Sequence, residues 1–370
     1  MNEQAVTLFL ELLRSAIWNK SADESLFQNI DSAVWRDIIN FGESQKVNAL
    51  LYDGVMTLSA SLRPERKILY KLFLQSEAIE QSNEVLIKEL KNLSSEYEKI
   101  NVPFVLLKGQ GNAVFYSNPK HRTPGDIDVY FYQKGDYVKA NEWARKQGYK
   151  MDPENIHHQS FEFNKIHVEN HKDICYFGIK NYDNLLKKEV GQMIQDQRFV
   201  DLDIDGLSVK ILPFEFNAFF IFYHLFHHFI HLGIGLRQFY DWLLFMDKNS
   251  DRIDQEEFIR LTESFDLLKA MRIFASVGVK YLGVKPSVFP FEVDVNGEYV
   301  DLVMKDVLSG GNFGYDVFKK KAFQNELHRK WYSFKFSTRR IRKISAMAPQ
   351  HINTLPINKI VTNIRILLKN

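Results

Sequence analysis

Strict alternation of polar and apolar side chains over residues 126–131 is the sequence feature that most constrains the fold. The segment reads DIDVYF, so Asp126, Asp128 and Tyr130 alternate with an isoleucine, a valine and a phenylalanine. Since successive side chains of a β-strand point to opposite faces of the sheet, the pattern predicts a strand with one apolar face. The other face carries two neighbouring carboxylates, which repel each other unless a cation neutralises them. We therefore expect Asp126 and Asp128 to bind a hard cation, Mg²⁺ or Mn²⁺, through oxygen ligands.

Further short apolar segments predict a small mixed sheet around this strand. Residues 102–107 form an apolar run that is closed by a Lys-Gly pair and suits a buried strand. Asn164-Lys165 and Asp205-Gly206 are turn signals between β-like segments, so they predict hairpins over residues 159–171 and 200–212. The central part of the chain is thus expected to be an α/β unit.

Helical periodicity dominates on both sides of these segments. The first 98 residues and the stretch after Pro213 both show it, with breaks at the glycines of 233–235 and 310–314. The predicted fold class is α+β, a small mixed-sheet core flanked by N-terminal and C-terminal helical units. The expected divisions are an N-terminal helical unit, an α/β core, a C-terminal helical unit and a basic tail, at residues 1–98, 99–212, 213–318 and 319–370.

Composition excludes several classes of protein. A hydrophobic content of 45% excludes a largely disordered chain, and the single cysteine, Cys175, cannot form an intrachain disulfide. Residues 216–236 lack Asp, Glu, Lys and Arg, but four histidines and Asn217 favour a buried helix over a membrane span. Since the N-terminus also lacks the features of a secretory signal, the expected location is the cytoplasm.

A third acid, Glu169, lies in the predicted strand of residues 166–171 and shares a face with His167 and His171. If this strand neighbours the strand of Asp126 and Asp128, three carboxylates converge. Three carboxylates can hold two metal ions for an in-line displacement at phosphorus. His171 is an accessory candidate that could orient Glu169 or a substrate hydroxyl, and the alternative is an exposed strand residue.

A glycine-rich turn precedes the carboxylates in the sequence. Lys108-Gly109-Gln110-Gly111 follows a predicted strand and precedes a short predicted helix, and glycines let backbone N–H groups approach a phosphate. The side chains of Lys108 and Arg122 could neutralise further phosphate charge. Each motif alone is weak, because Asp-x-Asp and Gly-x-Gly are common in loops. Their combined order of strand, glycine turn, helix, Asp-x-Asp strand and acid strand is far more specific.

This order resembles the nucleotidyltransferase superfamily that includes DNA polymerase β. More closely, residues 106–109 (LLKG), 122–128 (RTPGDID) and 168–171 (VENH) resemble the uncharacterised bacterial nucleotidyltransferase family often found with surface-polysaccharide genes. The resemblance covers most of the chain from about residue 100 onward. It extends to His224, His228, residues 233–241 and residues 310–314.

The resemblance implies an Mg²⁺-dependent enzyme that transfers a nucleoside monophosphate from an NTP, with ATP expected, to a hydroxyl or phosphate acceptor. Asp126 and Asp128 would be metal ligands, Glu169 would complete the site and assist the nucleophile, and Gly109 with its neighbours would hold the triphosphate. A role in surface-polysaccharide biosynthesis is part of the same expectation. One departure is Gln110, which stands where the wider superfamily usually has serine.

Two further groups allow both a structural and a functional interpretation. Arg237 and Asp241 are spaced as a helical i,i+4 salt bridge, and by analogy with the family they are candidates for nucleotide contacts. A cluster of four histidines could ligate a metal, but hydrogen-bonded polar points on a buried aromatic helix are the favoured interpretation. These histidines are His224, His227, His228 and His231.

The charge of the chain is strongly asymmetric. Residues 319–370 hold 13 Lys or Arg and one acid, a net +12, whereas the first 318 residues carry −10. The basic residues are interleaved with aromatic ones, which favours docking to an anionic membrane surface or a protein partner over a solvated helical face. Nucleic acid is not the expected partner. The alternatives to the enzyme are a non-catalytic nucleotide-binding scaffold attached through this tail and a toxin-type nucleotidyltransferase that modifies a protein or tRNA.

Overall fold

A computed structural model describes residues 2–231, 233–311 and 343–352. The chain divides into two compact units, of which the first consists of Met1–Tyr176 and Gly191–Asn217. The second begins with Phe177–Val190 and continues from Ala218. The four-part division expected from the sequence stays a prediction. Most of the basic tail, residues 319–370, lies outside the described residues.

Four helices form the N-terminal part of the first unit. They are α1 (Glu3–Ile17), α2 (Ser32–Gln45), α3 (Asn48–Met56) and α4 (Arg66–Lys99). The side chain of Asp31 accepts hydrogen bonds from the backbone N–H groups of Ala33 and Val34, and so caps the first turn of α2. The 34 residues of α4 run to the start of the sheet.

A six-stranded mixed sheet follows, which together with the flanking helices confirms the predicted α+β class. Its strand order is β3-β4-β2-β1-β6-β5, with β2 parallel to β4, β1 parallel to β6, and the other neighbours antiparallel. Helices α5, α6 and α7 lie between strands in the sequence, and α7 has no counterpart in the sequence prediction. The elements are β1 (Val105–Leu107), α5 (Gln110–Ala113), β2 (Ile127–Tyr130), α6 (Asp136–Lys146), β3 (His158–Phe163), β4 (Ile166–His171), α7 (Lys180–Gln195), β5 (Val200–Ile204) and β6 (Leu207–Ile211).

The two faces of the sheet have different surroundings. Ile127 and Val129 of β2 and Val168 of β4 pack into a core with the apolar side of α4 and with Trp143 of α6. The alternation predicted for residues 126–131 is therefore present, and it leaves Asp128 on the opposite face. Burial of the apolar face fixes the register, because a slip of one residue would move each carboxylate into the core.

The second unit is helical and rich in aromatic residues. The ring of Phe274 lies 5.5 Å from that of Phe222 and 5.1 Å from that of Phe229, and all three are buried. None of the helices in the described part of the chain has the length and hydropathy that a bilayer-spanning helix requires. The remaining helices are α8 (Phe214–His231), which begins in the first unit, α9 (Leu236–Asn249), α10 (Gln255–Ser264), α11 (Leu268–Val277), α12 (Val300–Gly310) and α13 (Pro349–Ile352).

Candidate active site

Asp128 and Glu169 are direct neighbours across two parallel strands. β2 and β4 pair in a register that sets Asp128 opposite Glu169 and Tyr130 opposite His171. The sequence prediction depended on these two strands being adjacent, and they are. Asp128 and Glu169 project from the sheet face that α4 and α6 do not cover. Together with Asp126 they are called the carboxylate site below.

Asp128 lies between two basic side chains. Its Oδ1 atom is 2.8 Å from Nζ of Lys108 and 3.2 Å from Nε2 of His171. The same Nε2 atom is 3.2 Å from Oε2 of Glu169. Only 4% of the Asp128 side chain is exposed, against 19% for Glu169. His171 thus bridges the two carboxylates, and Glu169 keeps the greater access to solvent.

These contacts perturb the pKa values of the site. Burial opposes the charge on Lys108, but the carboxylates of Asp128 and Glu169 outweigh it and raise the pKa of the ammonium group. Burial alone would raise the pKa of Asp128, yet Lys108 and His171 hold it well below its usual range. For His171, the hydrogen bonds to Asp128 and Glu169 overcome burial and raise the pKa. The ionised form of Asp128 is therefore stabilised by its two basic neighbours.

Asp126 occupies the margin of the site. It directly precedes β2 and is more exposed than Asp128. Among the described residues, ligand atoms of Asp128, Glu169 and His171 lie within 4.8 Å of one another, and Asp126 is not a member of this group. Burial and the charges of Asp128 and Glu169 nevertheless raise the pKa of Asp126. The negative charge of the neighbouring carboxylates therefore reaches Asp126, which favours an additional cation.

The glycine turn lies beside the start of β2. Lys108 and Gly109 both have positive φ angles, 41° and 51°. A Cβ atom on Gly109 would lie 3.3 Å from the carbonyl oxygen of Asp126, so a side chain there would be both strained and crowded. The turn brings the Lys108 ammonium group to Asp128, a contact that sequence reasoning did not predict.

The side chain of Gln110 takes part in a buried network with α4. Its Nε2 atom donates to Oδ1 of Asn83 at 2.8 Å, and Nδ2 of Asn83 donates to the carbonyl oxygen of Arg122 at 2.9 Å. Gln110 and Arg122 are each 4% exposed. Their roles in nucleotide binding stay predictions, whereas these hydrogen bonds give both residues a structural role. Asn83 was missed, although its spacing from Leu86 and Leu90 places it on the buried side of α4.

Other candidate residues lie on α8 and α9. Arg237 and Asp241 are on α9 in the second unit, Asp241 is buried, and their role in nucleotide binding stays a prediction. On α8, the rings of His224 and His228 and those of His227 and His231 lie 4.4 Å apart. Burial lowers the pKa of His227 to about 4, so this imidazole is neutral at physiological pH. Within the described residues, groups of three close metal ligands occur around His171 and not on α8.

Comparison with known proteins finds a family match that covers most of the described chain. The family model of an uncharacterised nucleotidyltransferase matches residues 31–283, a range that includes the whole sheet and each carboxylate of the site. No significant match is found among curated proteins or among solved structures. The match spans more than half of the chain. The protein therefore belongs to this uncharacterised nucleotidyltransferase family, and its general function is nucleotidyl transfer.

Proposed function

We propose that the protein is a divalent-metal-dependent enzyme that transfers a nucleoside monophosphate from an NTP to a hydroxyl or phosphate acceptor. An acceptor oxygen forms a bond to the α-phosphorus, the bond from that phosphorus to the bridging oxygen breaks, and pyrophosphate leaves. The observation that carries the proposal is the register of β2 and β4, which sets Asp128 beside Glu169 on one sheet face.

The residues of the carboxylate site fit a hard divalent cation. Carboxylate oxygens are the ligands that Mg²⁺ and Mn²⁺ prefer, and ligand atoms of Asp128 and Glu169 lie within 4.8 Å of each other. The raised pKa of Asp126 supports the same assignment, because a cation would relieve the repulsion between its carboxylate and its neighbours. Asp126, Asp128 and Glu169 would hold the ion, which would neutralise charge on the transferred phosphoryl group.

The chain's own side chains would supply the remaining steps. Glu169, the more exposed carboxylate of the β2–β4 pair, would accept the proton of the acceptor hydroxyl. His171 would orient Glu169 through its contact with Oε2, and Lys108 would offer positive charge to the triphosphate. Backbone N–H groups next to Gly109 would complete the phosphate contacts.

The test is pyrophosphate release by the full chain with each NTP, Mg²⁺ or Mn²⁺, and a panel of hydroxyl and phosphate acceptors. The double variant Asp126→Asn/Asp128→Asn should lose turnover by at least about a thousandfold. A matched control exists in Asp201→Asn/Asp203→Asn, which makes the same change in an exposed Asp-x-Asp segment of β5. Full turnover by the first variant, with circular dichroism showing an intact fold, would contradict the proposal.

The Lys108–Asp128 contact favours a second candidate, a nucleotide-binding protein without transfer activity. An ammonium group 2.8 Å from Asp128 already neutralises that carboxylate without a metal ion. Calorimetry with ATP, in the presence of EDTA and then of Mg²⁺, separates the two functions when it is paired with the pyrophosphate assay. Metal-independent binding without release across the acceptor panel would support the second candidate.

The acceptor and the location are further parts of the proposal. ATP as the nucleotide and a surface-polysaccharide precursor as the acceptor rest on the resemblance in sequence. The basic residues 319–370 would attach a cytoplasmic protein to an anionic membrane surface or a protein partner. Co-sedimentation of the full chain with anionic vesicles, and not with neutral ones, is the expected result for membrane attachment. Equal recovery with both kinds of vesicle would contradict it.

A further inference from the structure

We propose that His157, His158 and His171 form a binding site for a divalent transition metal of the Zn²⁺ type, next to the carboxylate site. One ligand atom from each of these residues, called the histidine trio below, lies within 4.8 Å of those from the other two. The ring centroids are 4.6 Å apart for His157 and His158, 5.0 Å for His158 and His171, and 5.5 Å for His157 and His171. Three imidazoles in one place are a donor set for a transition metal.

The backbone of the β3–β4 hairpin holds the trio together. His158 and His171 are register partners at one end of the hairpin. His157 precedes β3, and its carbonyl oxygen accepts a hydrogen bond of 2.9 Å from the backbone N–H of Lys172. The sheet ladder and its extension therefore fix the backbone of the three residues. The ligands for a metal ion are thus largely pre-organised.

Unsatisfied ring nitrogens give independent support for a ligand. In the part of the chain that the structure describes, the Nδ1 atoms of His158 and His171 are buried and have no hydrogen-bond partner. Only 4% of the His171 side chain is exposed. A buried polar atom without a partner destabilises the fold, and coordination to a metal would remove this penalty.

The contacts of Nε2 of His171 explain how Nδ1 of the same ring, the proposed ligand atom, would be oriented. Nε2 faces Asp128 and Glu169, each at 3.2 Å, and an N–H at this position donates to carboxylate oxygens. Metal-bound histidines commonly donate their second ring N–H to a carboxylate, which fixes the tautomer and the ring orientation. For a metal bound to Nδ1, the carboxylates of Asp128 and Glu169 would therefore orient the His171 ring.

The chemistry of the trio differs from that of the carboxylate site. Imidazole suits Zn²⁺, Ni²⁺ and similar ions, whereas Mg²⁺ prefers oxygen ligands. The two sites should therefore select different metals, and an excess of Mg²⁺ should not empty the trio. With three protein ligands, one position would stay open for water or another small ligand.

The test uses the full chain freed of metal with EDTA, which is then exchanged into buffer containing Mg²⁺ in excess. Titration with Co²⁺ should give visible d–d absorption bands at one equivalent, and Zn²⁺ should displace the Co²⁺. His157→Gln and His158→Gln should each weaken binding at least about tenfold, because each removes a ligand. His167→Gln is the matched control, since His167 lies on the same hairpin, 3.8 Å from Glu169, but outside the trio.

Three results would overturn the inference. They are no binding of Co²⁺ or Zn²⁺, unchanged affinity in both His157→Gln and His158→Gln, and loss of the bound ion in excess Mg²⁺, which would assign it to the carboxylate site. If a histidine variant does not fold, X-ray absorption spectroscopy of the Zn²⁺-loaded natural chain decides the question. Three imidazole nitrogens around zinc support the trio, and fewer than three contradict it.

Discussion

Asp-x-Asp motifs occur at two places along the sheet, residues 126–128 and residues 201–205, and their environments differ. Asp126 directly precedes β2, an interior strand, and Asp128 lies within it; residue Asp128 is 3% exposed between Lys108 and the neighbouring strand β4. Asp201 and Asp203 belong to β5, an edge strand, and both are exposed. The same motif in the same sheet therefore has two different physical settings.

The partners of the two segments differ in the same way. Asp128 faces Glu169 across a parallel pair, so like charges accumulate there, and Lys108 and His171 lie against them. Asp201 faces Lys210 across an antiparallel pair, with Nζ and Oδ1 3.1 Å apart, so its charge is already balanced. Of the two segments, only the interior one accumulates negative charge that a further cation would stabilise. The position of the strand in the sheet therefore decides which Asp-x-Asp is a candidate site.

The largest expected difference in stability between the two segments appears when the lysine that contacts each of them is replaced. In metal-free buffer, Lys108→Met should destabilise the protein by about 3–5 kcal/mol, because a buried carboxylate would lose its ammonium partner. Lys210→Met should change stability by less than about 1 kcal/mol, because the Lys210–Asp201 pair is exposed to solvent. Equilibrium urea unfolding followed by far-UV circular dichroism measures both.

The same pair of variants also tests the proposed metal. Mg²⁺ should recover part of the stability that Lys108→Met loses and none of the change in Lys210→Met. Equal losses of stability in the two variants would mean that the interior and edge carboxylates depend equally on their lysine partners. That result would contradict the difference inferred between the two segments.

Much of this arrangement could be predicted from the sequence. Alternation over residues 126–131 gave the faces of β2, and the turn at Asn164-Lys165 gave the β3–β4 hairpin. The adjacency of β2 and β4 could only be assumed, because strand order depends on packing between segments far apart in the chain. The convergence of Asp128 and Glu169 followed once that assumption was met.

Contacts that depend on local backbone geometry could not be predicted. The approach of Lys108 to Asp128 requires positive φ angles at two successive residues, and no side-chain pattern specifies them. The role of Gln110 at a phosphate stays a prediction, and the hydrogen bond from its amide to Asn83 of α4, a residue 27 positions earlier, was not predicted. Helix α7 was also missed, although Lys180–Gln195 is a full helix in the structure.

A smaller effect is expected from the apolar residue inside each Asp-x-Asp segment. Ile127 is 2% exposed and belongs to the core, whereas Leu202 packs against the same core from a partly buried position. Ile127→Ala should cost about 2–5 kcal/mol through lost burial and a residual cavity. Leu202→Ala should cost about 1–2 kcal/mol, because part of its surface already contacts water.

Urea unfolding of both alanine variants, with Ile127→Val as the conservative control, measures this difference. The valine variant should lose only about 0.5–1.5 kcal/mol. A larger loss of stability in Leu202→Ala than in Ile127→Ala would mean that the edge strand contributes more to core packing than the burial of its side chains indicates.

The smallest expected effect concerns Asp205, at the turn that follows the edge segment. Nζ of Lys91 lies 2.7 Å from Oδ2 of Asp205, and this hydrogen bond lowers the pKa of Asp205 below its ordinary value of 3.8. A carboxyl group with a lowered folded-state pKa stabilises the fold above the unfolded-state pKa, and this stabilisation is lost as the pH falls through the folded-state value. Asp205→Asn should therefore be less stable than the natural chain at neutral pH, with a difference that shrinks below pH 3.8.

Asparagine is a suitable replacement here, because Asp205 has a φ of 52°, a left-handed conformation that asparagine also tolerates. The change thus removes charge without straining the turn. In urea unfolding at about 1 M NaCl the difference at neutral pH should shrink, since the Debye length falls to roughly 3 Å and the pair is exposed. The loss caused by Lys108→Met should persist in the same salt, because the Lys108–Asp128 contact is buried. A salt-sensitive Lys108 variant would mean that the interior carboxylates are as accessible to solvent as those at the edge.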